Sequence, residues 1–195
     1  MQTLPTPTET GYTRLAAFVH VFDNVFSTDF CNNIIKEYKE IDFVDAVDHG
    51  AGYRQCMGAK ILNNADKKRK EIDNTIFDSL QKILLRMKEM HPTLLGVSDD
   101  TGYELLRYKV GDYYKPHIDA GTIDHRVLSC IIGLNEDYLG GEIDMFNGAA
   151  ITKLRTGSLI VWPSNFMFPH GIRPVTQGIR YSIVTWFNYG NPDNT

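Results

Sequence analysis

The stretch YKVGDYYKPHID, residues 108–119, carries an imidazole and a carboxylate two residues apart, at His117 and Asp119. Tyrosine and valine favour an extended chain, and residues i and i+2 of a β-strand project from the same face of a sheet. We therefore predict that His117 and Asp119 open a strand with their side chains next to each other. Such a pair can bind one metal ion if a third ligand comes from elsewhere in the fold.

The segment HGIRPVTQGIR, residues 170–180, supplies a candidate third ligand, His170, and a guanidinium at its other end, Arg180. The pattern predicts a β-hairpin that turns at residues 176–178, with Arg180 opposite His170 and directed into the same cavity. A buried arginine is costly without an anionic partner, and its natural bidentate partner is a carboxylate. We expect that carboxylate to belong to a ligand; the alternatives are pairing with Glu142 or Asp144, or an arginine that lies in solvent.

Short β-type runs, roughly eight of them, follow Gly102 and are separated by turn signals such as Gly140-Gly141. This spacing is typical of an antiparallel sandwich or jelly roll. The predicted fold class is α+β, a double-stranded β-helix (jelly roll) with N-terminal buttressing helices. The expected organisation is a disordered lead-in at residues 1–10 and a single domain at 11–195, with helical support at 27–91 and a jelly-roll core at about 102–189.

Two amphipathic helices precede the strands. The first begins at a Ser27 or Thr28 cap, and the second extends from residue 66 to residue 90, where His91-Pro92 stops it. Each has apolar residues on one face, which we expect to pack against a sheet. These residues are Phe30, Ile34, Ile35, Tyr38 and Ile41 in the first helix, and Ile72, Ile76, Phe77, Leu80, Ile83, Leu84 and Met87 in the second.

Between the two helices, residues 42–64 have no regular pattern and include three glycines. They are expected to form a mobile loop or short strands. Two interpretations stay open: a loop that closes over a site, with His49, Tyr53 and Arg54 as the residues of interest, and a surface connection without a role.

Composition excludes several classes of function. A net charge of −4 and a pI of about 5.8 argue against nucleic-acid binding through overall positive potential. No apolar run is long enough to span a bilayer, and no signal peptide is visible at the N-terminus. The three cysteines are far apart and lack a CxxC spacing, which favours reduced thiols. We expect a soluble cytoplasmic protein, bacterial or in the host cytoplasm if viral, with no membrane partner.

Most other histidines and aromatic residues are expected to be structural. His125 is interpreted as a loop residue, and His20 and His91 as packing or surface residues. Trp162 and Trp186 are expected in the core, with Trp186 close enough to border the site. For Tyr114, a place in the pocket wall and simple packing are equally favoured.

Two imidazoles and a carboxylate with other positions open suit a divalent first-row metal, as in non-heme Fe(II) oxygenases. The chain resembles the 2-oxoglutarate- and Fe(II)-dependent dioxygenases, in particular the prolyl 4-hydroxylase-like branch, over residues 102–187. Order, spacing and intervening glycines all agree. The residues that carry the resemblance are Tyr108, Gly111, Tyr114, His117, Ile118, Asp119, Arg126, Leu134, Asn135, Gly140, Gly141, Glu142, Phe146, Gly157, His170, Pro174, Val175, Gly178, Arg180 and Trp186.

The resemblance implies that His117, Asp119 and His170 hold Fe(II). It also implies that Arg180 and Tyr108 bind the distal carboxylate of the co-substrate 2-oxoglutarate. The implied cofactors are therefore Fe(II), 2-oxoglutarate and O2, with an ascorbate-like reductant. The implied reaction couples decarboxylation of 2-oxoglutarate to hydroxylation of a C–H bond, most naturally in a prolyl residue of a peptide or protein substrate.

Two alternatives stay open at this point. The first is a hydroxylase of a free amino acid, a small metabolite or a nucleic-acid base, although the negative net charge counts against a base. The second is a cupin-like module that binds a metal or a sugar acid without redox turnover, because jelly rolls support many functions. The position of Arg180, ten residues after His170 in the sequence, favours the dioxygenase over the cupin-like module.

Overall fold

The computed structural model describes residues 15–46, 52–62, 66–121 and 125–190. The elements that lie wholly within these ranges include two α-helices and fifteen strands, with two short 3-10 helices at Glu40–Asp42 and Pro92–Leu94. Every strand pair in the described ranges is antiparallel. The predicted lead-in at residues 1–10 and His49 lie outside the described residues.

Helix α1 (Thr28–Glu37) begins at the predicted cap, because the Ser27 hydroxyl accepts a hydrogen bond from the Phe30 N–H at 3.2 Å. Ile34 is fully buried on its inner face. The prediction that Ile41 continues this face is wrong: the α-helix ends at Glu37, and Ile41 lies in the following 3-10 helix with 91% of its surface exposed.

Helix α2 (Lys67–Met90) begins at Asp66, whose carboxylate accepts hydrogen bonds from the Lys68 and Arg69 N–H groups at 2.9 and 3.0 Å. It ends at Met90 with His91 as its C-cap, as predicted from the His91-Pro92 pair. The predicted apolar stripe is buried except for Phe77, which is 46% exposed on the flank of the helix.

The larger sheet contains eight strands in the order β1-β12-β8-β15-β6-β4-β2, and β5 pairs with β15 beside this path. The long strand β15 is central, because it pairs with β8, β6 and β5. The strand bounds are β1 His20–Phe22, β2 Val44–Asp45, β4 Met57–Ile61, β5 Val97–Asp100, β6 Tyr103–Tyr108, β8 Arg126–Gly133, β12 Leu159–Pro163 and β15 Arg180–Tyr189.

The smaller sheet contains five strands in the order β11-β10-β13-β7-β3, and a separate two-stranded ribbon joins β14 to β9. The interior between the larger and smaller sheets forms a second core, distinct from the one under the helices. The strand bounds are β3 Arg54–Gln55, β7 Tyr113–His117, β9 Leu139–Gly140, β10 Ile143–Met145, β11 Ala150–Thr152, β13 His170–Ile172 and β14 Val175–Gln177.

Strand β15 shows how the two cores are separated. Ile183 and Phe187 pack in the core that contains the helices, whereas Val184 and Trp186 face the core between the sheets. This alternation is the period of a strand that is covered on both faces. The helices therefore buttress the outer face of the larger sheet, as predicted, and leave its inner face to line a cavity.

The predicted hairpin over residues 170–180 is wrong. Strand β13 ends at Ile172, the chain then enters the ribbon strand β14, and Arg180 begins β15 in the other sheet. Pro174 lies at the break and has no N–H to donate to a continuous ladder. His170 and Arg180 consequently belong to opposite sheets rather than to two arms of one hairpin.

Residues 42–64 form short strands where they are described, namely β2, β3 and β4. All three cysteines are unpaired and buried, in agreement with the prediction of reduced thiols. Neither helix of the described ranges has both the length and the apolar character that a membrane crossing requires.

Candidate functional site

His117 and His170 are register partners on the adjacent strands β7 and β13 of the smaller sheet. Their ring centroids are 4.3 Å apart, and their side chains are 6% and 5% exposed. The pairing of two strands that are far apart in sequence thus brings the two imidazoles to one place.

Asp119 completes the cluster, but not in the way the sequence predicts. Strand β7 ends at His117, so Asp119 lies beyond the strand and does not share a strand face with His117. Its Oδ2 is 3.2 Å from Nε2 of His170, and its Oδ1 is 3.6 Å from Nε2 of His117. One ligand atom from each of the three residues lies within 4.8 Å of the others, so the cluster could hold a metal ion.

Hydrogen bonds to the backbone fix the tautomer of both imidazoles. Nδ1 of His117 is 2.9 Å from the Lys115 carbonyl oxygen, and Nδ1 of His170 is 3.1 Å from the Phe168 carbonyl oxygen. Because a carbonyl oxygen only accepts, each Nδ1 must carry the hydrogen. Each Nε2 faces Asp119, and in the neutral imidazole it carries the lone pair, which is the arrangement that metal-binding histidines adopt.

The ionisation states of the cluster also fit a cation. Burial opposes ionisation of Asp119, but its contacts with His117 and His170 hold the pKa of the carboxyl well below the usual range. Burial lowers the pKa of His117, which favours the neutral imidazole. A charged carboxylate and neutral imidazole are the forms that bind a divalent metal.

The cluster opens into a cavity between the two sheets, with about 470 Å³ of empty space including solvent at its mouth. Tyr108 and Arg180 line the wall that belongs to the larger sheet, and both side chains are almost fully buried, at 1% and 3% exposure. The two residues are cross-strand neighbours on β6 and β15. The cavity therefore has one wall that carries the His117, Asp119 and His170 cluster and one cationic wall.

Arg180 has polar neighbours but no acidic partner among the described residues. Its Nη1 donates to the Ser182 hydroxyl at 2.7 Å, and no described carboxylate lies within ion-pair distance of its guanidinium. Asp144, an alternative partner from the sequence, instead accepts from Arg173 at 3.0 Å. The cationic wall can thus accept an anion that enters the cavity.

The aromatic residues near the cluster take up distinct places. Tyr114 lines the cavity and stacks on His117, with ring centroids 3.6 Å apart. Trp162 is a core residue, as predicted, with its ring edge-on to His170 at 4.7 Å. Trp186 borders the cavity beneath the guanidinium of Arg126, at 3.8 Å.

The other three histidines of the described residues lie away from the cavity. His125 is exposed, and His20 and His91 contact each other on the side of the larger sheet that carries the helices. Of the residues singled out between the helices, Arg54 lines the cavity and stacks over Tyr114 at 4.9 Å.

Two residues of the site were missed in the sequence. Ser129 donates to Oδ2 of Asp119 at 2.6 Å, and its hydroxyl is 2.8 Å from that of Ser164. Both serines are 1% exposed. The signal that could have found Ser129 is a single hydroxyl inside the apolar run RVLSCIIG, where a polar group needs a partner.

The family model described as the 2OG-Fe(II) oxygenase superfamily matches residues 103–188 of the chain, a range that includes the whole cluster and both residues of the cationic wall. The match covers 86 of the 195 residues and agrees with the resemblance seen in the sequence. Together with the hydroxylase relatives, this match indicates a 2-oxoglutarate-dependent dioxygenase, and the cofactors of the matched superfamily are Fe(II), 2-oxoglutarate and O2.

Curated relatives of this oxygenase include a PKHD-type hydroxylase of Rippkaea orientalis, 26% identical over 179 residues that make up 84% of this chain and 75% of the relative. A PKHD-type hydroxylase of Synechococcus is 28% identical over 174 residues, with the same coverage of both chains. The resemblance to a hydroxylase branch of the family is therefore confirmed over most of the chain.

Among solved structures, a prolyl-4-hydroxylase of Pseudomonas putida is similar with a TM-score of 0.73 at 20% identity, covering 89% of this chain and 94% of that one. A prolyl hydroxylase of Trichoplax adhaerens, solved with a peptide fragment of hypoxia inducible factor, has a TM-score of 0.74 at 17% identity, covering 88% and 84%. These likenesses confirm the predicted jelly-roll fold.

Proposed function

We propose that this oxygenase hydroxylates a peptide or protein substrate, with a prolyl residue as the preferred target, and that residues 11–195 act as one domain. The proposed Fe(II) ligands are His117, Asp119 and His170. Arg180 and Tyr108 are the proposed binding residues for the distal carboxylate of 2-oxoglutarate. A cytoplasmic location and an ascorbate-like reductant stay predictions from the sequence.

The observation that carries the proposal is the position of Arg180. Its guanidinium lies across the cavity from the three-residue cluster and has no carboxylate partner among the described residues. Among the described residues, Arg180 is buried without a carboxylate, so a dicarboxylate with one end at the cluster would supply the missing anion. A cupin-like module that binds only a metal does not require such a residue.

When bound, Fe(II) and 2-oxoglutarate supply the oxidising chemistry, which couples decarboxylation to succinate and CO2 with hydroxylation of a C–H bond. The chain's own residues would bind and orient these groups and exclude water from the site. The Nδ1 hydrogen bonds of His117 and His170 hold the imidazole planes. Apolar side chains of the core between the sheets, such as Trp162 and Ile131, surround the site and keep it dry.

The shape of the surface outside the cluster supports a peptide substrate over a free amino acid. A depression with about 790 Å³ of empty space, including open solvent, lies next to His117. Tyr53, Pro116, Ile118 and Pro169 form part of its wall. A wide, partly apolar approach suits an extended chain better than a small polar molecule. PKHD-type and prolyl hydroxylases among the relatives and fold neighbours agree with this choice.

The decisive experiment has two stages. Anaerobic addition of Fe(II) and 2-oxoglutarate to the purified protein is expected to produce a metal-to-ligand charge-transfer absorption band, and His170→Ala is expected to lose it while the exposed control His125→Ala keeps it. Proline-rich peptides, peptides in which alanine replaces proline, and free amino acids are then compared by mass gain and succinate release.

Each outcome of that experiment has a defined meaning. Absence of the band in the wild-type protein would overturn the assigned site. A mass gain on free amino acids but on no peptide would replace the proposed substrate with a small one. A gain on peptides with and without proline would retain the peptide and reject the prolyl target.

A further inference from the structure

Asp119 lies outside any strand, although the other two members of the cluster are held by the ladder of the smaller sheet. Because Asp119 lies beyond the end of β7, other contacts must hold its carboxylate in one orientation. We propose that Ser129 and Ser164 form a hydroxyl relay that positions the Asp119 carboxylate for the metal. This inference rests on the proposed metal site and concerns positioning residues that lie behind it.

The relay reaches Asp119 from the opposite sheet. Ser129 lies on β8 of the larger sheet, where its register partners are Trp162 and Trp186, and its side chain projects into the interior. Its hydroxyl donates to Oδ2 of Asp119 at 2.6 Å. The carboxylate is thus anchored to the larger sheet, whereas the two imidazoles belong to the smaller one.

Ser164 supports this contact from a second direction. Its hydroxyl lies 2.8 Å from that of Ser129, and its carbonyl oxygen accepts from the Ala120 N–H at 2.9 Å. The Ser164 N–H in turn donates to the Val127 carbonyl oxygen at 3.0 Å. The segment after β12 therefore holds both the backbone next to Asp119 and the hydroxyl that contacts its side chain.

The chemistry of the three groups leaves one hydrogen-bond direction. An ionised carboxylate only accepts, so the single hydrogen of Ser129 must go to Asp119. The Ser129 oxygen must then accept the hydrogen of Ser164. Both bonds point toward the negative charge, and such chains strengthen each member by polarisation. Because the serines are 1% exposed, water does not compete for these hydrogens.

The alternative is that the two hydroxyls merely satisfy each other in the core and have no effect on the metal. The test therefore measures metal binding rather than activity alone. Co²⁺ serves as the probe, since its visible absorption reports ligand geometry and its dissociation constant can be determined by titration of the apo protein. Enzyme turnover with Fe(II) is measured separately.

Ser129→Ala is expected to weaken Co²⁺ binding by about 10- to 100-fold, the range typical for loss of an outer hydrogen bond to a metal ligand, and to shift the Co²⁺ spectrum. Ser129→Thr keeps the hydroxyl and is expected to remain within about threefold of wild type. Ser164→Ala acts through Ser129 and is expected to have a smaller effect, about three- to tenfold.

Ser158→Ala is the matched control. Ser158 is also a serine at 1% exposure, and its hydroxyl donates to Asp23 at 2.8 Å, but Ser158 does not line the cavity. The same chemical change there is expected to lower thermal stability without altering Co²⁺ affinity or the spectrum.

The proposal is overturned if folded Ser129→Ala binds Co²⁺ within twofold of wild type with an unchanged spectrum. If Ser129→Ala does not fold, Ser164→Ala decides, and an unchanged affinity there overturns the relay. His170→Ala separates this failure from failure of the proposed site: if it too leaves Co²⁺ affinity unchanged, the metal site itself is wrong. Loss of affinity in His170→Ala alone rejects only the relay.

Discussion

Arg180 and Tyr108 are directly opposed in the antiparallel pair of β15 and β6, and the Arg180 guanidinium carbon lies 5.1 Å from the centre of the Tyr108 ring. The aromatic ring limits where the guanidinium can go, and Ser182 holds one of its nitrogens. A cation fixed in this way is ready for an anion without reorganisation, which lowers the entropic cost of binding.

Replacing Arg180 with alanine is the most direct test of this cationic wall. Loss of a buried charge-assisted pair typically costs about 1.5 to 3 kcal/mol, so Arg180→Ala is expected to raise the dissociation constant of 2-oxoglutarate by about 10- to 150-fold. Co²⁺ affinity in the absence of 2-oxoglutarate is expected to stay near wild type. Isothermal titration of both ligands measures the two effects.

Arg173→Ala is the control for that variant, because Arg173 is exposed and pairs with Asp144 at the surface. It is expected to leave 2-oxoglutarate binding unchanged. Equal affinity of wild type and Arg180→Ala for 2-oxoglutarate would show that the co-substrate lies elsewhere.

A second prediction concerns the strand pair that aligns the two imidazoles. A Cβ on Gly171 would lie 2.7 Å from the Tyr114 carbonyl oxygen and 3.1 Å from the Pro116 nitrogen, both of which are backbone atoms. Gly171→Ala is therefore expected to push β13 from β7 and to destabilise the fold by about 1 to 3 kcal/mol, as overpacking does. Denaturant unfolding measures the loss, and Co²⁺ titration is expected to show weaker binding.

Gly121→Ala offers the matched glycine, since a Cβ there meets no atom within 4 Å. It is expected to be neutral or slightly stabilising, by up to about 1 kcal/mol. If the two alanine variants unfolded at the same denaturant concentration, the close packing of β13 on β7 would not limit stability.

Tyr114 provides a third prediction, because its ring lies flat against His117 at 3.6 Å with 19° between the planes. Tyr114→Leu removes the flat support and is expected to weaken Co²⁺ binding by about tenfold through a less ordered imidazole. Tyr114→Phe keeps the ring and is expected to bind Co²⁺ like wild type. Equal Co²⁺ affinity of the leucine and phenylalanine variants would assign Tyr114 to packing alone.

The fourth prediction concerns pH and the contact between His20 and His91, whose Nε2 atoms are 2.8 Å apart. Burial, followed by the charge of His91, lowers the pKa of His20 in the folded protein. The unfolded chain therefore binds a proton at His20 more readily than the folded protein does. The free energy of unfolding has its full value above the unfolded pKa of about 6.5 and decreases as the pH falls through the lowered folded pKa. The free energy of unfolding is expected to decrease between about pH 8 and about pH 5.

His20→Gln is expected to reduce this pH dependence, because glutamine keeps a hydrogen-bonding side chain but does not titrate. His117 changes the free energy of unfolding in the same direction, because burial lowers its pKa as well. This contribution is the same in the wild type and in His20→Gln. The exposed control His125→Gln is expected to retain the wild-type slope. A slope in His20→Gln equal to that of wild type would contradict the prediction.

The members of the cluster could be predicted from the sequence. The residue types, order and spacing of His117, Asp119, His170 and Arg180 are visible there without knowledge of the fold. The helices were also predictable, since caps at Ser27 and Asp66 and the proline after His91 are local signals. Antiparallel strands followed from short runs and glycine turns. Each of these features depends on neighbouring residues along the chain.

Features that depend on tertiary pairing were not predictable. The end of β7 at His117 and the sheet change between Ile172 and Arg180 result from which strand pairs with which, and a periodic pattern does not encode this. The contact from Ser129 to Asp119 joins opposite sheets. The exposure of Phe77 likewise depends on how much of α2 is covered, and that of Ile41 on the end of α1 at Glu37.

Under the proposed binding roles, the placement of His117 and His170 on one sheet and of Arg180 on the other has a consequence for co-substrate choice. Packed sheets are separated by about 10 Å, a spacing set by the whole core rather than by a loop that can adjust. The distance between the two sheets therefore selects the length of the co-substrate's carbon chain. An oxo acid one methylene shorter than 2-oxoglutarate would not reach the Arg180 guanidinium. A longer oxo acid would have to bend, because the distance between the two sheets does not adjust.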